Sequence, residues 1–185
     1  MPPEIFGVDE LSALLEAGNR VAPDVVPMLA IGAFAGIREA EIQRLDWNEI
    51  DLARGYIEVK AAKANSARRR IIQIQPNLVE WLRPYAAMKG SVVPEGAHGK
   101  LDRVRKAAGL TRWPQNGLRH SFASYRLAAT HDAPRVASEL EHTSRKMLYS
   151  IYRELVLPEE GERYWKLIPE SKAENVLSFS SRVTA

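Results

Sequence analysis

Residues 56–75, YIEVKAAKANSARRRIIQIQ, decide the fold class, because the hydrophobic spacing of the chain changes here. Tyr56-Ile57-Glu58-Val59 and Ile71-Ile72-Gln73-Ile74 are short runs rich in branched residues, the pattern of half-buried strands. Between the two runs lies a polar stretch, and residues 60 to 70 carry Lys60, Lys63, Arg68, Arg69 and Arg70 with no acid. The segment reads as an antiparallel hairpin with a basic tip.

On both sides of it the spacing is helical. Asp9 to Asn19 predicts a short amphipathic helix with Val8, Leu11, Leu14 and Leu15 on one side and Gly18 weakening its end. Pro23 opens a second helix whose run Val25, Val26, Met28, Leu29, Ile31 and Phe34 is too continuous for a surface element. It stops near Gly36, and a third helix follows from about Arg38 to Leu45. After the hairpin, Pro76 restarts a helix with Leu78, Trp81, Leu82 and Tyr85 in one stripe. Further helices are predicted around Leu101 to Ala108, Asn116 to Ala129, Pro134 to Leu140 and Ser144 to Leu155, and from Pro158 onward with Tyr164 and Trp165. The expected fold class is mainly α with a small antiparallel β-hairpin or sheet (α+β). One domain is expected over residues 1–170, followed by a polar tail over residues 171–185 with little reason to fold.

The chain has 185 residues, 45% of them hydrophobic, enough for one real core. It has no cysteine, which excludes a disulfide framework or thiolate zinc site, and its four histidines show no metal-ligand spacing. The first residues carry acids, and no apolar run approaches the roughly 18 residues of a membrane span. A cytoplasmic protein is expected. The net charge of +3 says little, but its distribution says more: residues 100 to 126 hold seven bases, including Arg103 and Lys106, against the single acid Asp102. Brought to one face, this stretch and the hairpin tip would suit a polyanion such as DNA; apart, they would be solvated surface.

Phosphoryl transfer needs cationic groups that clamp the non-bridging oxygens, a nucleophile, and an acid for the leaving oxygen. Arginine is the best clamp because its planar fork bonds two oxygens at once and stays charged. Three places offer such groups beside core-forming segments: Arg38 in GAFAGIREAEIQRLDW, Arg119 in NGLRHSFASY, and the stretch LEHTSRKMLYSIYREL with His142 and Tyr152. Taken singly, each has an ordinary explanation. Arg38 could be a surface residue, Arg119 a partner in a structural salt bridge, and Tyr152 a buried phenol with a bonded hydroxyl.

In order, these blocks resemble the tyrosine recombinase or phage integrase family from about residue 8 to residue 168, and the run YRELVLPEEGERYWKLIP carries the likeness past the tyrosine. The resemblance implies the tyrosine recombinase catalytic-domain fold and an enzyme that cuts and rejoins DNA through a 3′-phosphotyrosine, with no metal or nucleotide cofactor. It implies that Arg38 and Arg119 hold the scissile phosphate, that His142 donates a hydrogen bond to it, and that Tyr152 is the nucleophile. Lys63 would protonate the leaving 5′ oxygen, with Lys60 as the other candidate. Lys60, Arg68, Arg69, Arg70, Arg103 and Lys106 would meet the DNA backbone.

The chain departs from the family pattern at three points. Asn116 stands where a histidine is common, and it can hydrogen-bond a phosphate but cannot act as an acid or base near neutral pH. Ten positions separate His142 from Tyr152, one more than the family spacing, so Tyr149 is a rival. Counting back along the second strand lands nearer Asn65 than Lys63. The family also implies a helical core-binding domain ahead of the catalytic one, which is expected to be absent from this chain. The partner implied is double-stranded DNA, worked on by a tetramer on paired sites. The alternatives are a noncatalytic DNA-binding remnant and a topoisomerase IB-like enzyme. The last helix could dock on a neighbouring subunit or cover the chain's own core.

Overall fold

A computed structural model of the chain describes residues 3–60, 69–140 and 156–170. Its elements are α1 (Val8–Val21), α2 (Val26–Ala35), α3 (Glu39–Ile42), β1 (Ile50–Asp51), β2 (Tyr56–Lys60), β3 (Arg69–Gln73), α4 (Pro76–Leu82), α5 (Ala97–Ala107), α6 (Gly117–Thr130), α7 (Ala133–Glu139) and α8 (Pro158–Trp165). The three strands form one antiparallel sheet in the order β1-β2-β3, with Ile57 opposite Ile72 and Val59 opposite Arg70. The mainly helical class with a small antiparallel sheet is therefore found as the sequence reads it. The third strand, β1, is only two residues long and adds to the two strands that the sequence predicts.

At the centre lies α2, and all ten of its residues are buried. That explains its unbroken apolar run: helices α1, α4 and α6 pack around it and leave it no solvent face. Helix α1 does not weaken at Gly18 but runs through it to Val21. A Cβ at Gly18 would lie 2.8 Å from a Val26 methyl, so the missing side chain lets α1 meet α2 closely. The third helix is shorter than its pattern suggests, ending at Ile42 in a turn that brings Leu45 and Trp47 into the core.

Helix α8 packs on the chain's own core. Tyr164 is fully buried, stacks on Tyr125 at 4.0 Å between centroids, and donates its hydroxyl to the carbonyl of Ala33. The Trp165 indole N–H donates to the Tyr125 carbonyl at 3.1 Å, and the Trp81 indole to the Leu167 carbonyl at 3.0 Å. Of the two readings of these aromatics, cover for the chain's own core is the one observed. The N-terminal segment is sewn to α6: the Phe6 amide donates to Ser121 Oγ at 2.9 Å, and the Tyr125 hydroxyl donates to the Phe6 carbonyl at 3.1 Å. The predicted helix from Ser144 to Leu155 and the polar tail from residue 171 lie outside the described residues. No helix among the described residues is long and apolar enough to cross a membrane.

Helix α2 ends at Gly36, whose φ of 62° and ψ of 24° are left-handed. A Cβ there would also sit 2.5 Å from a ring carbon of Phe122 on α6. Both the backbone angle and the ring contact demand glycine. Gly36→Ala is expected to destabilise the domain by at least about 2 kcal/mol, roughly 1 for the left-handed backbone and the rest for displacing the ring. Urea unfolding measures this, and a loss under about 0.5 kcal/mol would show that Phe122 yields freely.

Candidate active site

The turn after α2 sets the position of Arg38. Gly36 reverses the backbone, Ile37 is buried as a plug, and Arg38 emerges in extended conformation as the residue capping α3. Its side chain is 44% exposed, so the guanidinium reaches the surface. Glu41, one helical turn on, receives the Arg38 backbone N–H at 3.0 Å on Oε2 and the Arg38 guanidinium at 3.4 Å on Oε1. The same two oxygens accept a fork from Arg70 on β3, at 2.7 Å on Oε1 and 2.9 Å on Oε2. Burial by itself would raise the Glu41 pKa, but hydrogen bonds and charge from Arg70, helped by Arg38, hold it below its ordinary value of 4.5. Glu41 is therefore a carboxylate at neutral pH, shared by two guanidinium groups.

Arg119 lies in the first turn of α6 and reaches back across the site. One terminal nitrogen donates to the carbonyl of Gly36, and the other donates to the carbonyl of Leu140 at 2.6 Å. The first carbonyl is two residues before Arg38, and the second is two residues before His142. Asn116 caps α6 in a left-handed conformation with φ of 54°, which asparagine tolerates better than most residues. It stands one turn before Arg119, and both line a cavity of about 530 Å³ floored by Met28, Leu29 and Gly32 of α2. His142, Tyr149, Tyr152, Lys63 and Arg68 lie outside the described residues. Among the predicted catalytic residues, Arg38, Asn116 and Arg119 are thus gathered around the end of α2 and the start of α6.

The predicted DNA contacts divide differently. Lys60 is exposed and bonded to Glu49 at 2.6 Å, and Arg69 is exposed and paired with Glu58 at 3.2 Å. Arg70 faces inward and is only 13% exposed. Arg103 and Lys106 are exposed on α5, where Lys106 pairs with Asp102 at 2.7 Å. The stripe of α5 that shares the cavity with Arg119 and Asn116 is instead His98, Leu101, Asp102 and Arg105. Sequence reasoning missed Arg105 and His98. Their spacing at i, i+3, i+4 and i+7 was the available signal, since it marks one helix face.

Known proteins share this fold. The solved structure of XerA recombinase matches 88% of this chain with a TM-score of 0.70 at 21% identity, covering 62% of that structure. XerH site-specific recombinase bound to palindromic difH substrate in a post-cleavage complex matches 90% of this chain with a TM-score of 0.63 at 22% identity, covering 54% of that structure. The fold is that of a tyrosine recombinase catalytic domain. The pattern of the phage integrase family matches residues 6–156, and the chain belongs to that family. Tyrosine recombinase XerC of Proteus mirabilis is 27% identical over 192 residues, covering 93% of this chain and 61% of the relative. The chain spans between 41% and 61% of the length of the curated relatives it matches.

His120, beside Arg119, is half-buried, and its pKa is pushed below the ordinary 6.5 by burial and then by the Arg119 charge. The unfolded chain therefore binds this proton more readily than the folded one, and stability rises with pH up to about 6.5. The neutral-imidazole contribution is complete above pH 6.5 and declines as pH falls toward the depressed folded value. A proton NMR titration is expected to place the His120 midpoint below 6.5, with His120→Gln flattening the stability slope on the acid side. A midpoint at or above 6.5 would contradict the assigned environment.

Proposed function

We propose that this chain is the strand-exchange domain of a site-specific DNA recombinase working through a 3′-phosphotyrosine, with Tyr152 as nucleophile. The observation that carries the reading is the pair of hydrogen bonds that Arg119 donates to the Gly36 and Leu140 carbonyls. It ties the turn bearing Arg38, the start of α6 and the residue two before His142 to one guanidinium.

In this reading Arg38 and Arg119 neutralise the non-bridging oxygens of the scissile phosphate, and His142 adds a hydrogen bond. Asn116, at the cavity edge one turn from Arg119, can hydrogen-bond the same phosphate. The Tyr152 hydroxyl gives up its proton to water as its oxygen attacks phosphorus, a P–O bond to the tyrosine forms, and the bond to the 5′ oxygen breaks. Lys63 supplies the proton to that oxygen. Lys60 suits this role less well, because its hydrogen bond and charge pairing with Glu49 raise its pKa and make it a weaker acid. Religation is the same step reversed by another strand's 5′ hydroxyl, so the bond energy is kept and no metal or nucleotide is consumed. The partner is double-stranded DNA in the bacterial or phage-infected cytoplasm, and exchange is carried out by four copies on two paired sites.

A library of nicked duplexes with a randomised core tests this, because cleavage at a nick releases a short strand and traps the protein on DNA. The wild-type chain is expected to enrich a subset of duplexes as a denaturation-resistant adduct, Tyr152→Phe to form none, and Tyr149→Phe to form it normally. Arg119→Lys is expected to slow attachment by about 100-fold or more, since a point charge cannot replace the fork. Adduct formation by Tyr152→Phe would overturn the assigned nucleophile. No adduct from the wild type across the library would favour a DNA-binding remnant.

A further inference from the structure

Arg70 occupies a position that sheet geometry reserves for an aliphatic residue. Along β3 the side chains alternate: Arg69 is exposed, Ile71 is 62% exposed, and Ile72 between them and Ile74 is 8% exposed. Arg70 shares the inward face with Ile72 and lies directly opposite Val59, itself 5% exposed. Placing a guanidinium there costs desolvation, and a buried ion pair commonly adds little stability over apolar residues of similar size. Stability alone is thus a weak reason for an arginine at this site.

What the arginine does provide is orientation. Each Glu41 oxygen is shared, Oε1 between the Arg70 and Arg38 guanidinium groups and Oε2 between the Arg70 guanidinium and the Arg38 backbone N–H. The planar fork fixes the plane of the carboxylate, and the carboxylate in turn grips Arg38 at main chain and side chain. The contact joins residues 29 apart in sequence, so it locks the hairpin to the turn after α2. We propose that Arg70 is a positioning residue for strand cleavage: acting through Glu41, it sets the direction of the Arg38 guanidinium and couples that guanidinium to the β2–β3 hairpin. This rests on the reading of Arg38 as a phosphate clamp. It removes Arg70 from the DNA-contacting set that the RRR run suggests.

Two measurements test it, one independent of catalysis. In the free protein, the Arg38 side-chain N–H resonance is expected to stand apart from those of solvated arginines in the wild type. It should collapse toward them in Arg70→Gln, and shift less in Arg70→Lys, which keeps one bond to Glu41. An Arg38 resonance unmoved by either substitution overturns the proposal, whatever the protein does to DNA. With a nicked duplex enriched from the library, Arg70→Gln is expected to slow attachment at saturating DNA by about 30-fold with Arg70→Lys between, while the dissociation constant changes less than about twofold. Replacing the scissile phosphate with a neutral methylphosphonate lessens the need for a cationic clamp, so the gap between wild type and Arg70→Gln should narrow to about threefold or less. A gap that persists on methylphosphonate marks Arg70 as merely structural. Weaker binding with an unchanged saturated rate marks it as a phosphate contact; either result overturns the proposal. Absence of an adduct from the wild type, with the Arg38 resonance responding as described, overturns the recombinase reading and leaves the orienting contact standing.

Discussion

A guanidinium has donors on both terminal nitrogens in one rigid plane, and the placement of the site depends on how residue 119 uses them. By donating to the carbonyl that ends α2 and to the carbonyl that ends α7, Arg119 supplies a partner at two helix termini, where carbonyls lack intrahelical donors. The orphaned ends of helices are commonly satisfied by water or by local turns. Here a side chain from a third helix does it, so the three segments on which the proposed chemistry is spread are held together by the residue proposed to contact the phosphate. The same fork that suits a phosphate suits a pair of peptide oxygens, and lysine could do neither job with comparable geometry.

Behind that junction the framework is made stiff by close contact rather than by bulk. Gly36 admits the ring of Phe122, Gly18 admits Val26, and Gly32 lies against Leu118. Each approach brings a neighbouring segment close to α2, whose complete burial leaves it no freedom to tilt toward solvent. Arg126 adds a polar tie on the far side of α6, with a fork to Glu139 at 2.9 and 3.0 Å and a bond to Gln75 at 3.3 Å. Helix α6 is in this way tied at its first turn through Arg119 and again in its second half through Arg126.

Much of this was legible in the residues, because burial writes itself into spacing. The continuous apolar run of α2, the branched runs of β2 and β3, and the prolines opening α4 and α8 each have a local cause. What the spacing could not convey was direction. Three consecutive arginines read as one basic patch, whereas the pleat turns Arg69 outward to Glu58 and Arg70 inward to Glu41. On α5 the residues assigned to DNA from the sequence were Arg103 and Lys106, but the helix turns His98, Asp102 and Arg105 toward the cavity. Strand β1 was invisible because two residues carry no period. The order of the motif blocks pointed to the family, while His142, Tyr152 and Lys63 remain expectations drawn from that likeness.

The aromatic lock of α8 has a chemical corollary. The chain contains six tyrosines, and three of the phenols serve as struts: Tyr85 donates to Pro23, Tyr125 to Phe6 and Tyr164 to Ala33. Burial pushes the Tyr125 hydroxyl up to about 12 and Tyr164 well above its ordinary 10, and Tyr85 is raised as well. A phenol that keeps its proton and spends it on a peptide oxygen makes a poor rival for an electrophilic phosphorus. For the proposed reaction this architecture sets three of the six phenols aside as attacking groups, because each is already committed to holding the fold together.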